Sequence, residues 1–191
     1  MPMSRKLPSL AVAFACFLPA VSCAQAPQAA APGAINPCTL LTDAEVSDVM
    51  GLKVQAGRPF DNGVTGDGAF STTCVWAVAL DPNSIPDTTK PLGGASFAIL
   101  NILNWPGGPT DAQKYLDSFQ GAFDQKVINS QPVPVEVGAD QSLWWGDGVA
   151  GRKDGVSFGI SVAQIADRDQ RQPKAEQLAR RVAQRLWAKP T

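Results

Sequence analysis

Apolar and polar residues alternate along several short stretches of this chain, which is the periodicity of a strand buried on one face. The clearest stretch is 156–162, where every second residue is apolar and serine or glycine stands between them. Asp154-Gly155 is a strong hairpin signal that joins this strand to another at 148–153. The pattern predicts further strands at 74–80, 95–103 and 141–145, with shorter fragments at 127–128 and 133–137.

Three other stretches carry apolar residues at helical spacing. The first helix is predicted at 43–50, because Thr42 can cap it and Glu45 occupies the reciprocal capping-box position. The second is predicted to begin at a Thr110 cap and to end near Gly121. The remaining predicted segments are a third helix at 173–188 and loops at 57–73 and 81–94.

The order of these elements is α-β-β-α-β-β-β-α, with hairpins rather than crossover helices between consecutive strands. This order predicts an α+β domain: a single twisted antiparallel sheet with the helices packed on one face. The stretch 37–191, about 155 residues, is long enough for a single domain with its own core.

The chain begins with the layout of a bacterial secretory signal peptide. Arg5 and Lys6 precede an apolar run at 10–18, which is too short and too proline-flanked to span a bilayer. Val21-Ser-Cys23 resembles a lipobox, which would make residues 1–22 the signal peptide and Cys23 the lipid-carrying residue. The alternative is cleavage after Ala26. We expect an exported protein of the periplasm or cell envelope, anchored to the membrane if Cys23 is lipidated, with an Ala/Pro-rich tether at 23–36.

The cysteine count predicts one disulfide. Cys16 leaves with the signal peptide and Cys23 is lipidated or removed, so Cys38 and Cys74 remain. Two cysteines in an oxidising compartment are most simply paired. A catalytic thiol and half of a metal site are the alternatives, but the chain has no histidine to activate or complete either.

The absence of histidine also excludes Ser-His-Asp catalysis and histidine-ligated metals. Removal of the signal peptide takes away Arg5 and Lys6 and no acidic residue, so the exported chain is more acidic than the full chain, whose net charge is −1. Such a charge does not favour binding to nucleic acid. No cofactor and no metal site are predicted.

Three tryptophans are candidate binding residues. Trp144 and Trp145 are adjacent on a predicted strand, so their side chains must point to opposite faces of the sheet. The outward one, together with Trp105 on its Pro/Gly turn, is a candidate platform for a glycan, a lipid or an envelope protein. The alternative is that a loop or helix covers this second face.

Aspartates offer the catalytic hypothesis that the absence of histidine leaves open. A hydrolase acting on envelope glycans could use two of Asp67, Asp140 and Asp147, if their carboxyl groups lay roughly 5–9.5 Å apart in one cleft. The arginines of the last helix, Arg180, Arg181 and Arg185, are either a solvated face or a contact for anionic lipid.

One motif resembles a known family. The run Pro37-Cys-Thr-Leu-Leu-Thr-Asp-Ala-Glu-Val46, followed by Gly51 and Cys74-Val-Trp76, is similar to the opening of a broad group of secreted bacterial lipoproteins whose domain has no assigned function. The later run Val137-Gly-Ala-Asp-Gln-Ser-Leu-Trp144 is similar to that group's second half. The resemblance implies a disulfide-stapled, lipid-anchored α+β domain and brings no catalytic residues.

These observations favour a non-enzymatic binding or interaction domain in the cell envelope. The chain offers glycine loops and tryptophans as candidate binding features, and it lacks a convergent set of titratable groups that would indicate an active site. The carboxylate-dependent hydrolase is the alternative function.

Overall fold

Seven strands and three helices form in a computed structural model of the protein, which describes residues 35–78, 97–163 and 168–188. The strands are β1 (Arg58–Val64), β2 (Phe70–Ala77), β3 (Phe97–Asn104), β4 (Val133–Pro134), β5 (Gln141–Trp144), β6 (Gly148–Lys153) and β7 (Val156–Ala163). The helices are α1 (Asp43–Met50), α2 (Pro109–Asp124) and α3 (Arg171–Leu186). The predicted signal peptide, Cys23, most of the predicted tether and the predicted loop at 81–94 lie outside the described residues.

All seven strands belong to one antiparallel sheet in the order β1-β2-β3-β7-β6-β5-β4. Two meanders, β1 to β3 and β4 to β7, therefore meet at the central β3–β7 pair. That pair runs in register from Phe97 opposite Ala163 to Asn104 opposite Val156. The predicted α+β class and the single antiparallel sheet are confirmed.

The main core lies between one face of the sheet, here called the front face, and helices α1 and α3. Alternate residues of the central strands point into it, among them Leu100, Phe158 and Ile160, which are fully buried. Leu178 and Val182 of α3 complete it from the helix side. This arrangement follows from the apolar alternation of the strands and the apolar stripe of α3.

The expectation that all helices share one face is wrong for α2, which packs on the opposite face, here called the back face. The intervening residues of β7, Ser157, Gly159 and Ser161, point there, and a Cβ built on Gly159 would lie 2.8 Å from the hydroxyl of Tyr115 on α2. Because these strand residues are small, the bulky side chains of α2 can approach the sheet closely.

Several predicted boundaries also change. Strand β1 occupies part of the predicted loop at 57–73, and 127–128 forms a bend instead of a strand fragment. Helix α2 continues through Gly121 and ends at Asp124. Its N-cap is Gly108, at φ 73°, and not Thr110, because Pro109 is already the first residue of the helix. Strand β1 escapes the sequence pattern because it is an exposed edge strand with a bulge between Asp61 and Gly63.

Candidate functional site

The predicted disulfide is present. Cys38, in a short 3-10 turn at Pro37–Thr39, is bonded to Cys74 of β2 with a Cα–Cα distance of 5.2 Å. Cys74 is fully buried in the main core beside Trp76. The bond therefore fastens the start of the domain to the sheet, and it is a structural element rather than a thiol site.

Trp105 is buried rather than exposed on its turn. Only 4 % of its surface is accessible, and its indole Nε1 donates a hydrogen bond of 2.6 Å to the hydroxyl of Ser157. Its ring lies 6.0 Å, centroid to centroid, from the ring of Tyr115. These contacts place Trp105 in a small second core beneath the N-terminal part of α2.

Trp144 and Trp145 point to opposite faces, as the strand geometry predicts. Trp144 packs against the main core on the front face. Trp145 stacks on Phe119 of α2 with 4.8 Å between ring centroids. A continuous row of aromatic rings thus lies between α2 and the back face of the sheet, formed by Trp105, Tyr115, Phe119 and Trp145. The helix α2 covers this face, so the three tryptophans do not form one common surface.

The three candidate aspartates lie in different surroundings. Asp67 accepts a hydrogen bond from Thr65 in the β1–β2 turn, while Asp147 pairs with Arg171 at 3.6 Å. Asp140 precedes β5 and Asp147 follows it, and the end Cα atoms of that four-residue strand are roughly 10 Å apart. Asp140 lines the cleft described below, whereas Asp67 lines a separate depression beside Trp105 and Tyr115.

An open cleft of about 420 Å³ lies between α2 and the β4–β5 hairpin. Helix α2 supplies one wall through Gln113, Leu116, Asp117 and Gln120. The residues of the other wall come from the β4–β5 segment, and they are Pro132, Pro134, Val135, Glu136, Ala139, Asp140, Gln141, Ser142 and Leu143. The cleft therefore combines apolar side chains with amide and carboxylate groups on both walls.

Hydrogen bonds hold the polar groups of this cleft in place. Arg152 of β6 donates from Nε to the side-chain oxygens of Gln113, at 2.9 Å, and Gln141, at 3.0 Å. The amide nitrogen of Gln113 in turn donates to the carboxylate of Asp117 at 2.7 Å. A backbone bond of 3.0 Å from Asp140 to the carbonyl of Arg152 fixes the opposite wall. The two walls are thus tied to the same strand.

Of the cleft carboxylates, the sequence singled out Asp140 and missed Asp117 and Glu136. Asp117 looked like one of many polar residues on an amphipathic helix, and Glu136 lay in a strand fragment. The available signal was the spacing of Gln113, Asp117 and Gln120, which places them on one face of a helix. Nothing in the sequence indicated that this face would lie opposite the β4–β5 hairpin.

The three arginines of α3 make contacts within the molecule. Arg185 forms a two-point bond with the carboxylate of Glu45, and Arg181 lies 3.6 Å from Asp48. Arg180 pairs with Glu176 at 2.7 Å. Arg181 and Arg185 thus link α3 to α1, and Arg180 also donates to the backbone carbonyl of Glu136 in the β4–β5 segment.

Comparisons of the chain with protein-family models, with curated proteins and with solved structures give no match. The resemblance to secreted lipoproteins therefore stays a prediction. None of the helices that the structure describes is long and apolar enough to cross a membrane.

Proposed function

We propose that the protein is an exported, lipid-anchored domain of the cell envelope that binds a ligand in the cleft between α2 and the β4–β5 hairpin without transforming it. The observation that carries this proposal is the cleft itself. Its volume of about 420 Å³ falls in the range of small-molecule sites, and its lining combines apolar side chains with oriented polar groups.

Binding is favoured over hydrolysis by the positions of the carboxylates. Asp140 lines the cleft, whereas Asp67 and Asp147 do not line it and have partners of their own. In the cleft, the Asp117 carboxylate accepts a hydrogen bond from a neighbouring amide. This is an arrangement suited to recognition, in which fixed polar groups define what can enter.

The proposed anchor is the lipid on Cys23. Within the described residues the domain begins at Ile35, whose carbonyl accepts a hydrogen bond of 2.8 Å from Thr72 of β2. Residues 23–34 would join the lipid to this point of the domain.

The anchor is tested by intact mass. The protein purified from its own envelope fraction without reductant should carry acyl chains and the mass deficit of one disulfide under denaturing conditions. A Cys23→Ser variant should lack the acyl chains and leave the membrane fraction. An unacylated protein cleaved after Ala26 would overturn the anchoring proposal.

Ligand binding is tested with the same material by native mass spectrometry, before and after incubation with an extract of its envelope. We expect a non-covalent mass that Gln120→Trp, which fills the cleft, displaces. Gln177→Trp is the matched control, because it adds the same side chain at an exposed position of α3. Absence of any bound mass, or equal binding by both variants, would overturn the cleft as the site, and release of cut glycan would support the hydrolase instead.

A further inference from the structure

The cleft carries charge of one sign on both walls. Asp117 lies on the α2 wall, whereas Glu136 and Asp140 lie on the β4–β5 wall, and the residues that line the cleft include no lysine or arginine. At neutral pH a ligand between the walls therefore meets negative charge from two sides.

The nearby arginines direct their hydrogen bonds to groups other than these carboxylates. Arg152 directs its Nε to the amide oxygens of Gln113 and Gln141, and Arg180 donates to the backbone carbonyl of Glu136 while pairing with Glu176. Across the described stretches of the chain, Asp117, Glu136 and Asp140 take part in no ion pair. Their charge is left for a partner from outside.

The Asp117 carboxylate is also held in position before any ligand arrives. Because Arg152 orients the oxygen of Gln113 toward itself, the amide nitrogen of Gln113 must point the other way, to Asp117. This chain of bonds fixes the carboxylate at the wall, which reduces the ordering cost of binding.

The carboxylates are not arranged for a metal ion. No group of three or more acidic, cysteine or histidine side chains in the described residues is placed to hold one. An organic cation suits the cleft better, since its ammonium groups can reach separate carboxylates. Leu116 and Leu143 offer apolar contact to the methylene chain between them.

Building on the proposed binding function, we propose that the cleft recognises aliphatic ammonium groups, borne by a free polyamine or by the diamino-acid side chain of a short peptide. The common chemistry is an alkyl chain that ends in one or more positive charges. Neutral sugars lack the charge that Asp117 and Asp140 would pair with.

The test is isothermal titration of the full-length protein in detergent at low salt. The probes are spermidine, a lysine-containing tripeptide, diacetylated putrescine as the uncharged control and a neutral chitin trisaccharide. We expect spermidine or the tripeptide to bind and the uncharged probes not to bind, with affinity that falls as salt is added. The stronger of the two charged probes identifies the source of the ammonium group.

Two isosteric variants and one control locate the binding. Asp117→Asn and Asp140→Asn should each weaken binding about tenfold, the typical loss of one hydrogen bond between charged groups. Asp61→Asn makes the same charge change on β1, at the opposite edge of the sheet, and should leave affinity unchanged. Its amide oxygen can still accept the bond that Asp61 receives from Gly63.

The outcomes separate this inference from the proposed function. Equal weakening by Asp61→Asn, or binding of the trisaccharide in preference to both charged probes, would overturn the ammonium proposal. If the trisaccharide bound and Gln120→Trp displaced it, the binding function of the cleft would still stand. If no probe bound and the envelope extract gave no bound mass either, the proposed function would fail together with the inference.

Discussion

At the scale of single residues, Gly57 shows how tightly the front-face core is packed. A Cβ at this position would lie 2.5 Å from the indole nitrogen of Trp76 and 2.9 Å from the sulfur of Cys74. We expect Gly57→Ala to lower the free energy of unfolding by about 1–3 kcal/mol, because the ring or the disulfide must shift. Urea unfolding followed by tryptophan fluorescence measures this change.

The matched control is Gly66→Ala, the same substitution in the β1–β2 turn, where an added Cβ meets no atom within 4 Å. Its unfolding free energy should stay within about 0.5 kcal/mol of the parent. Equal losses for the two variants would contradict the close packing around Gly57.

Tyr115 offers a second test at this scale, since it is the single tyrosine of the chain. Burial against the sheet raises the pKa of its hydroxyl well above the ordinary value of 10.0. The neutral phenol therefore contributes stability that is fully present below pH 10 and is lost as the pH rises further. Ultraviolet absorbance should show no tyrosinate near pH 10 in the folded protein, whereas the protein unfolded in urea should form tyrosinate in the ordinary range. Formation of tyrosinate at the same pH in both states would contradict the burial of Tyr115.

At the scale of elements, one ion pair joins α1 to α3. Arg185 donates to both carboxylate oxygens of Glu45, at 2.5 and 2.8 Å, while the amide and hydroxyl of Thr42 also donate to it. The hydrogen bonds from Arg185, followed by those from Thr42, lower the pKa of Glu45 from 4.5 to about 2, although burial opposes them. The pair therefore stabilises the fold fully above pH 4.5, and this contribution is lost as the pH falls toward 2.

Glu45→Gln should lower stability at neutral pH by about 1 kcal/mol, a modest value because Arg185 is 41 % exposed. Glutamine keeps the capping role, so the loss reports the ion pair. The difference from the parent in urea midpoints should shrink as the pH is lowered from 5 to 2. Glu176→Gln, which removes a pair within α3, is the control. A difference for Glu45→Gln that persists unchanged at pH 2 would contradict this account.

At the scale of the whole molecule, the disulfide fastens the N-terminal turn to the sheet across 36 residues that contain α1 and β1. Closing a loop of this length stabilises a fold by up to about 4 kcal/mol through the entropy of the unfolded chain. The double variant Cys38→Ala/Cys74→Ala should therefore unfold at a clearly lower urea concentration than the oxidised parent. Reductant should bring the parent close to the variant and leave the variant unchanged; equal midpoints without reductant would contradict a stabilising bond.

The sequence by itself determined the features that depend on neighbours along the chain. The capping box of α1, formed by Thr42 and Glu45, and the Asp154-Gly155 hairpin are correct because a few adjacent residues decide them. The apolar alternation of β7 likewise indicated a strand with one face in the core. The count of cysteines was enough to predict the Cys38–Cys74 bond.

Only the tertiary structure decided which distant elements meet. The small residues of β7 do not reveal that α2 will cover them, since Gly159 and Tyr115 become neighbours only once β3 and β7 pair. Strand β1 has no periodicity of its own and exists through its bonds to β2. The cleft also depends on the tertiary structure. Asp117 and Asp140 are far apart in the sequence, and they line the same cleft only because both walls are bonded to Arg152 of β6.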